Sequence, residues 1–239
     1  MDSPLGERPA VDGPALDGPV PVVGFDLDMT LVDSSEGITA TLRAVLAEVG
    51  VHVDAADVWP WAGMPLERIV AGLAPGTPPG QVERIAARYK QLYPSLGVDS
   101  VRALPGAAAA LAAPAAHGGR SVVVSAKHAP NVHRVLAAAG LADAVERADV
   151  SGDLFAEQKG VRLRELGASA YVGDHPGDVR AAQVAGAVAV GVSTGAHDAD
   201  ALRAAGAEVV LAGLEDFPGW LALHAQQLRA GKKAVPAPR

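Results

Sequence analysis

From about residue 100 onward the chain repeats one pattern: an Ala-rich segment of helical character, a Gly that can end it, then a short apolar run. The runs at 121–125, 169–173, 187–192 and 208–211 predict short strands buried on both faces, and 20–26 predicts the first of the set. A weaker strand signal lies near 145–150. Gly118, Gly140, Gly167, Gly186 and Gly206 supply helix stops between them. Strands that alternate with helices imply a parallel sheet with helices on both sides, because parallel neighbours need a crossover connection. The expected fold is therefore α/β, a doubly wound parallel sheet.

One gap breaks the rhythm. The first strand ends near Asp26 and the next clear one begins near Ser121, whereas a βαβ unit needs only about 30 residues. Residues 105–117 can supply the crossover helix, which leaves 34–101 as an inserted unit. Within it 35–49, 65–73 and 79–93 predict helices, separated in part by the Pro/Gly-rich run APGTPPG. The expected organisation is a core made of 19–33 and 102–228, a small helical cap over 34–101, and flexible tails at 1–18 and 229–239.

Composition narrows the function classes. Hydrophobic residues make up 49% of the 239 and charged residues 20%, a globular balance, and aromatics at 4% leave Ala, Val and Leu to fill the core. The net charge of −7 and the absence of a Lys/Arg stripe argue against a nucleic-acid partner. With no Cys, thiolate catalysis, disulfides and Cys-based zinc sites are excluded. The N-terminus lacks the basic-then-apolar order of a signal peptide, and no run approaches the roughly 18 apolar residues of a membrane span, so a cytoplasmic address and no membrane partner are expected.

The chemistry-bearing residues cluster at strand ends. Val23-Gly24-Phe25-Asp26-Leu27-Asp28-Met29-Thr30 is an apolar strand running into acidic residues at its carboxyl end, where open α/β sheets bind ligands. If the chain stays extended there, Asp26, Asp28 and Thr30 point the same way. Gly173-Asp174-His175-Pro176-Gly177-Asp178 brings a second acidic pair after another strand, so four carboxylates would converge. Like charges about 4 Å apart repel by roughly 4 kcal/mol at an effective dielectric near 20, and a cation would relieve this. Hard oxygen ligands suit Mg²⁺. Either pair alone is explained as turn-forming Asp and Gly; both together point to a site. Ser125 ends the strand SVVVS with Pro130 opening a helix beyond it, a place for a phosphate near free backbone N–H groups, and Lys159 could neutralise phosphoryl charge. Singly, Ser125 is explained as a cap and Lys159 as a surface charge.

The order Asp-x-Asp-x-Thr, strand-end Ser, Lys and Gly-Asp-x-x-x-Asp resembles the four motifs of the haloacid dehalogenase superfamily, over about residues 20–212, with a helical cap after the first motif as in its phosphoglycolate phosphatase-like branch. The resemblance implies a Mg²⁺-dependent phosphatase acting on a small phosphorylated metabolite. Asp26 would attack phosphorus and carry an aspartyl-phosphate, and Asp28 would act as acid and then base. Magnesium would be held by the Asp26 carboxylate, the Asp28 carbonyl and Asp174, with Asp178 as ligand or support. Ser125 and Lys159 would hold the phosphoryl group, and Thr30 would stand beside it. Asp28 also separates phosphoester chemistry from the dehalogenase branch, which lacks an acid there. Three positions depart from the pattern: Met29 stands where Gly is usual, Gly160 follows Lys159 where Pro is common, and Lys127 is a rival cation.

In the cap, Trp59, Trp61, Met64 and Arg68 could read the non-phosphate end of a substrate, Arg68 by meeting an anionic group; core packing and a surface charge explain them equally well. His128, His133 and His175 lack a metal-ligand spacing, and the run from Gly191 to Gly195 lacks the ending of a phosphate-binding P-loop. Two other readings stand beside the phosphatase: a phosphomutase on a sugar phosphate, and a phospho-Asp receiver-like binding module. The sequence leaves the oligomeric state open.

Overall fold

The structure is a computed structural model that describes residues 18–231. The tails expected at 1–18 and 229–239 lie outside the described residues except at their inner ends, where Arg229 closes the last helix. Six strands form one parallel sheet: β1 (Val22–Phe25), β4 (Arg120–Val124), β5 (Val150–Ser151), β6 (Ala170–Gly173), β7 (Val188–Val192) and β8 (Val209–Leu211), in the order β5-β4-β1-β6-β7-β8. The predicted runs differ from these strands by one or two residues at one end or both. The weak signal near 145–150 resolves into the two-residue edge strand β5, preceded by a 3₁₀ turn over Arg147–Asp149.

Alternation along each strand fills both faces. Val23, Phe25, Val123, Val172 and Val190 belong to one apolar cluster, and Val122, Val124, Tyr171 and Ala189 to the other. Both sides are covered by crossover helices, which is why these strands are apolar throughout.

Two short strands are absent from the sequence expectation. β2 (Val32–Asp33) and β3 (Arg102–Ala103) pair antiparallel, Val32 with Ala103 and Asp33 with Arg102. They pair the two points where the chain leaves the six-stranded sheet and returns to it. Between them lie α1 (Ser35–Ala47), α2 (Ala55–Val58), α3 (Leu66–Leu73) and α4 (Pro79–Leu96), with no strand among them. Pro79 opens α4 at its first turn, where a missing N–H costs no bond. Val82, Ile85, Ala86, Tyr89 and Tyr93 then form a buried stripe at helical spacing facing α1, which offers Leu42, Val45 and Leu46. The remaining helices flank the sheet: α5 (Ala107–Ala112), α6 (Ala129–Ala138), α7 (Glu157–Glu165), α8 (Pro176–Ala185), α9 (Ala199–Ala204) and α10 (Phe217–Arg229). Among the described residues no helix is long and apolar enough to cross a membrane.

Candidate active site

Sheet register assembles the site. Phe25 pairs with Val123 on one side and with Val172 on the other, so the residues just beyond these strands emerge together at one edge. They are Asp26 after β1, Ser125 after β4 and Asp174 after β6. From the central strand the connections run outward in opposite directions, through β4 and β5 on one side and β6, β7 and β8 on the other, and an open α/β sheet binds its ligands in that crevice.

Asp26 is buried, and its backbone N–H donates to the Val172 carbonyl at 2.9 Å, which locks it to the sheet. Lys159, itself 2% exposed, stands between two carboxylates: Nζ lies 2.9 Å from Asp26 Oδ1 and donates to Asp178 Oδ1 at 2.7 Å. Toward Asp26 the contact is an ion pair. Burial would push the Lys159 ammonium down, but the Asp178 and Asp26 carboxylates outweigh it and hold the group charged, above its ordinary range. Burial, opposed by Lys159 and reinforced by Asp178 and Asp28, raises Asp26 to about 6. Asp174 is also raised well above the usual carboxylate range, by burial and then by Asp178 and Asp26.

Carboxylate oxygens of Asp26, Asp174 and Asp178 lie within 4.8 Å of one another, all buried. Asp174 accepts a bond from Thr30 Oγ1 at 2.8 Å through Oδ1, while its buried Oδ2 has no donor among the described residues. Three buried carboxylates that share one ammonium, with Asp174 Oδ2 unbonded, make a donor set suited to a hard divalent cation. Asp178 is more fully engaged, since Lys159 takes Oδ1 and the His175 N–H reaches Oδ2 at 3.1 Å, closing a capping box at the start of α8. Within that turn the Gly177 N–H donates to His175 Nδ1 at 2.8 Å. Burial, with His197 and Lys159 nearby, holds His175 down to about 4 and thus neutral, as this acceptor role requires.

The extended-chain expectation is corrected at Thr30. The chain turns after Asp28: Thr30 and Leu31 N–H groups both donate to the Leu27 carbonyl, and Met29 sits at φ +59°. Thr30 therefore faces Asp174 and is fully buried, whereas Asp26 and Asp28 border the open cleft. Three carboxylates converge rather than four, because Asp28 has its own partners. Lys127 Nζ donates to both of its oxygens at 2.9 and 3.0 Å, and Ser34 Oγ donates to Oδ1 at 2.5 Å instead of capping α1. Lys127 in turn lies 4.3 Å from the centre of the Tyr93 ring, on α4.

Ser125 is buried and accepts the Lys127 N–H at 3.3 Å, bordering the cleft beside Asn131 and His128 of the α6 entry. Arg68 is exposed, stacks over Phe155 with its guanidinium carbon 5.5 Å from the ring centre, and is absent from the cleft wall. Ser34, Tyr93 and Gly195 escaped sequence reasoning. Ser34 and Tyr93 fall only at the bounds of predicted segments, 34–101 and 79–93; Gly195 matters because a Cβ there would collide with Asp174 Oδ2. Only Gly195, singled out within a loop, carried any signal.

The cleft measures about 1140 Å³ and lies between this sheet edge and the helices α1 to α4. Its floor holds Asp26, Asp28 and Ser125; its upper wall holds Ile38, Val58, Trp59, Trp61, Met64 and Leu66.

Residues 23–183 match the family model of haloacid dehalogenase-like hydrolases, and the chain belongs to that family. It is 29% identical to the probable phosphatase IndB of Dickeya dadantii over 222 residues, covering 86% of this chain and 94% of that one. It is 32% identical to the phosphoglycolate phosphatase of Rhodospirillum rubrum over 216 residues, covering 82% and 89%. The crystal structure of a predicted phosphatase from Clostridium acetobutylicum superposes with a TM-score of 0.76 at 22% identity, covering 85% of this chain and 98% of that one, a likeness of fold.

Proposed function

We propose that the chain hydrolyses a small phosphate monoester, with magnesium, through a phosphoryl group carried on Asp26. The observation that carries this reading is Asp26 itself: a buried carboxylate at the end of the central strand, bordering the cleft, with the Lys159 ammonium 2.9 Å from its Oδ1. The phosphatases among its relatives support the reaction class.

In this reading an Asp26 oxygen attacks phosphorus, the bond to the ester oxygen breaks, and Asp28 gives that oxygen a proton. Water then attacks phosphorus, Asp28 takes back a proton, and the bond to Asp26 breaks to release phosphate. Lys127 and Ser34 hold the Asp28 carboxyl in place for both halves. Lys159 and Ser125 contact the phosphoryl oxygens, and Lys159 rather than Lys127 is the cation beside the nucleophile. Asp26 and Asp174, with the Asp28 carbonyl, would hold magnesium, while Asp178 anchors Lys159 and supports the site. When bound, the ion would offset charge on the carboxylates and the phosphoryl group. Residues 34–101 act as a cap on the core of 19–33 and 102–228, excluding water from the reaction; Arg68 enters only through its stack on Phe155. A soluble cytoplasmic setting suits such chemistry.

The test is release of inorganic phosphate from a phosphoester panel, with magnesium and with chelator, in native protein and Asp26→Asn. Metal-dependent release that disappears in the variant is expected. Release that survives in Asp26→Asn contradicts the nucleophile, and a phospho-protein that persists for hours supports the receiver-like reading.

A further inference from the structure

The cleft is larger and more apolar than a two-carbon leaving group needs. Its 1140 Å³ slightly exceeds the range typical of pockets for drug-sized molecules, and beyond the carboxylates its wall includes the apolar side chains Ile38, Val58, Trp61, Met64, Leu66 and Phe155. A short polar ester would leave most of this surface in contact with water.

Trp61 is held as a fixed wall. Gly72 lies within α3, where Gly is disfavoured, and a Cβ at that position would collide with the Trp61 ring at Cη2 and Cζ2. The ring therefore lies directly on the α3 backbone while bordering the cleft. The charges along the wall do not favour a second anion. Lys90 is paired with Glu67 at 3.3 Å, His128 with Asp153 at 3.2 Å and Lys127 with Asp28 at 2.9 Å. Glu36 and Glu67 are exposed acids on the same cleft. Arg43 is exposed, and its Nε is engaged with the Val53 carbonyl at 3.2 Å.

Resting on the phosphatase reading, we propose that the ester accepted here carries an uncharged, apolar, ring-bearing leaving group that stacks on Trp61. The chemistry distinguishes this chain's substrate from a phosphorylated short hydroxy acid.

The test compares binding of three non-hydrolysable phosphonates to the magnesium-loaded protein by calorimetry: 2-(1-naphthyl)ethylphosphonate, ethylphosphonate and phosphonoacetate. The naphthyl compound is expected to bind roughly tenfold or more tighter than ethylphosphonate, through ring stacking and apolar burial. Trp61→Ala should erase most of that ratio and Trp61→Phe retain part of it; if Trp61→Ala fails to fold, Trp61→Phe carries the comparison. Equal affinity for the naphthyl and ethyl compounds, tighter binding of phosphonoacetate, or no binding of any of the three overturns the inference. Failure of the phosphatase reading is separate, as absence of magnesium-dependent phosphate release from every ester tried; release without a ring preference sinks only the leaving-group assignment.

Discussion

Lys159 Nζ stands 2.9 Å from Asp26 Oδ1 and 2.7 Å from Asp178 Oδ1, so a single buried ammonium balances two buried carboxylates. Removing one partner of a buried ion pair leaves uncompensated charge, at a cost of about 3–5 kcal/mol. Lys159→Met is therefore expected to lose stability on that scale in urea unfolding at neutral pH, besides losing activity. A variant within about 1 kcal/mol of native protein contradicts the pairing.

Thr30 acts on the site through Asp174. Its hydroxyl donates to Asp174 Oδ1 at 2.8 Å and leaves Oδ2 free for a cation. Loss of a group that orients a metal ligand costs about 10- to 100-fold in affinity, so Thr30→Val should weaken magnesium binding by that factor in calorimetry. Gly195→Ala should do the same by pushing Asp174 aside. Unchanged magnesium affinity in both variants rules out Asp174 as a ligand.

Met29 holds a left-handed backbone, φ +59°, where a residue with a Cβ costs roughly 1–2 kcal/mol. The Thr194 hydroxyl donates to its carbonyl, its N–H donates to Val32 at 2.7 Å, and its side chain is buried. Burial of the thioether, about 1.5–3 kcal/mol, offsets the strain. Met29→Ala keeps the strain and loses the burial, whereas Met29→Gly loses both. The Gly variant should therefore be more stable than the Ala variant by about 1 kcal/mol, the reverse of their order in a helix. Equal or inverted stabilities refute the conformation at this turn.

His224 supplies a pH signature away from the catalytic edge. It is buried, stacks on Trp220 with centroids 5.0 Å apart, and approaches Ser169 Oγ at 3.3 Å. Burial holds it below the ordinary histidine range. The unfolded chain therefore binds its proton more readily than the native one, so the contribution of His224 to stability is complete above about pH 6.5 and declines as pH falls below it. The stability difference between native protein and His224→Gln, followed by unfolding from pH 7.5 to 5, should shrink toward acid. A difference independent of pH contradicts the buried neutral imidazole.

The parallel sheet was legible because strands buried on both faces leave unbroken apolar runs, such as SVVVS ending at Ser125, between Gly-terminated helices. The β2–β3 pair was not, since two-residue strands leave no period to detect. Asp26, Asp174 and Ser125 were legible by their places at strand ends. Which residues pair is a tertiary property: Lys127 reaches Asp28 across 99 positions, and Thr30 reaches Asp174 across 144. The turn at Met29 redirected Thr30; the sequence flagged the position, because Met stands where Gly is usual, but the extended-chain argument did not use that signal. Trp61 and Met64 could be read from the sequence as either core or substrate wall; in the structure they pack against the core cluster and also border the cleft.

The central claim is that Asp26 carries the phosphoryl group. The direct measurement is peptide mass spectrometry of protein acid-quenched during turnover of an ester identified in the panel. The account predicts a phosphoryl adduct on Asp26 that forms and decays within the turnover time and is absent in Asp26→Asn. An adduct on any other residue, or sustained turnover with no adduct at any quench time, would contradict it.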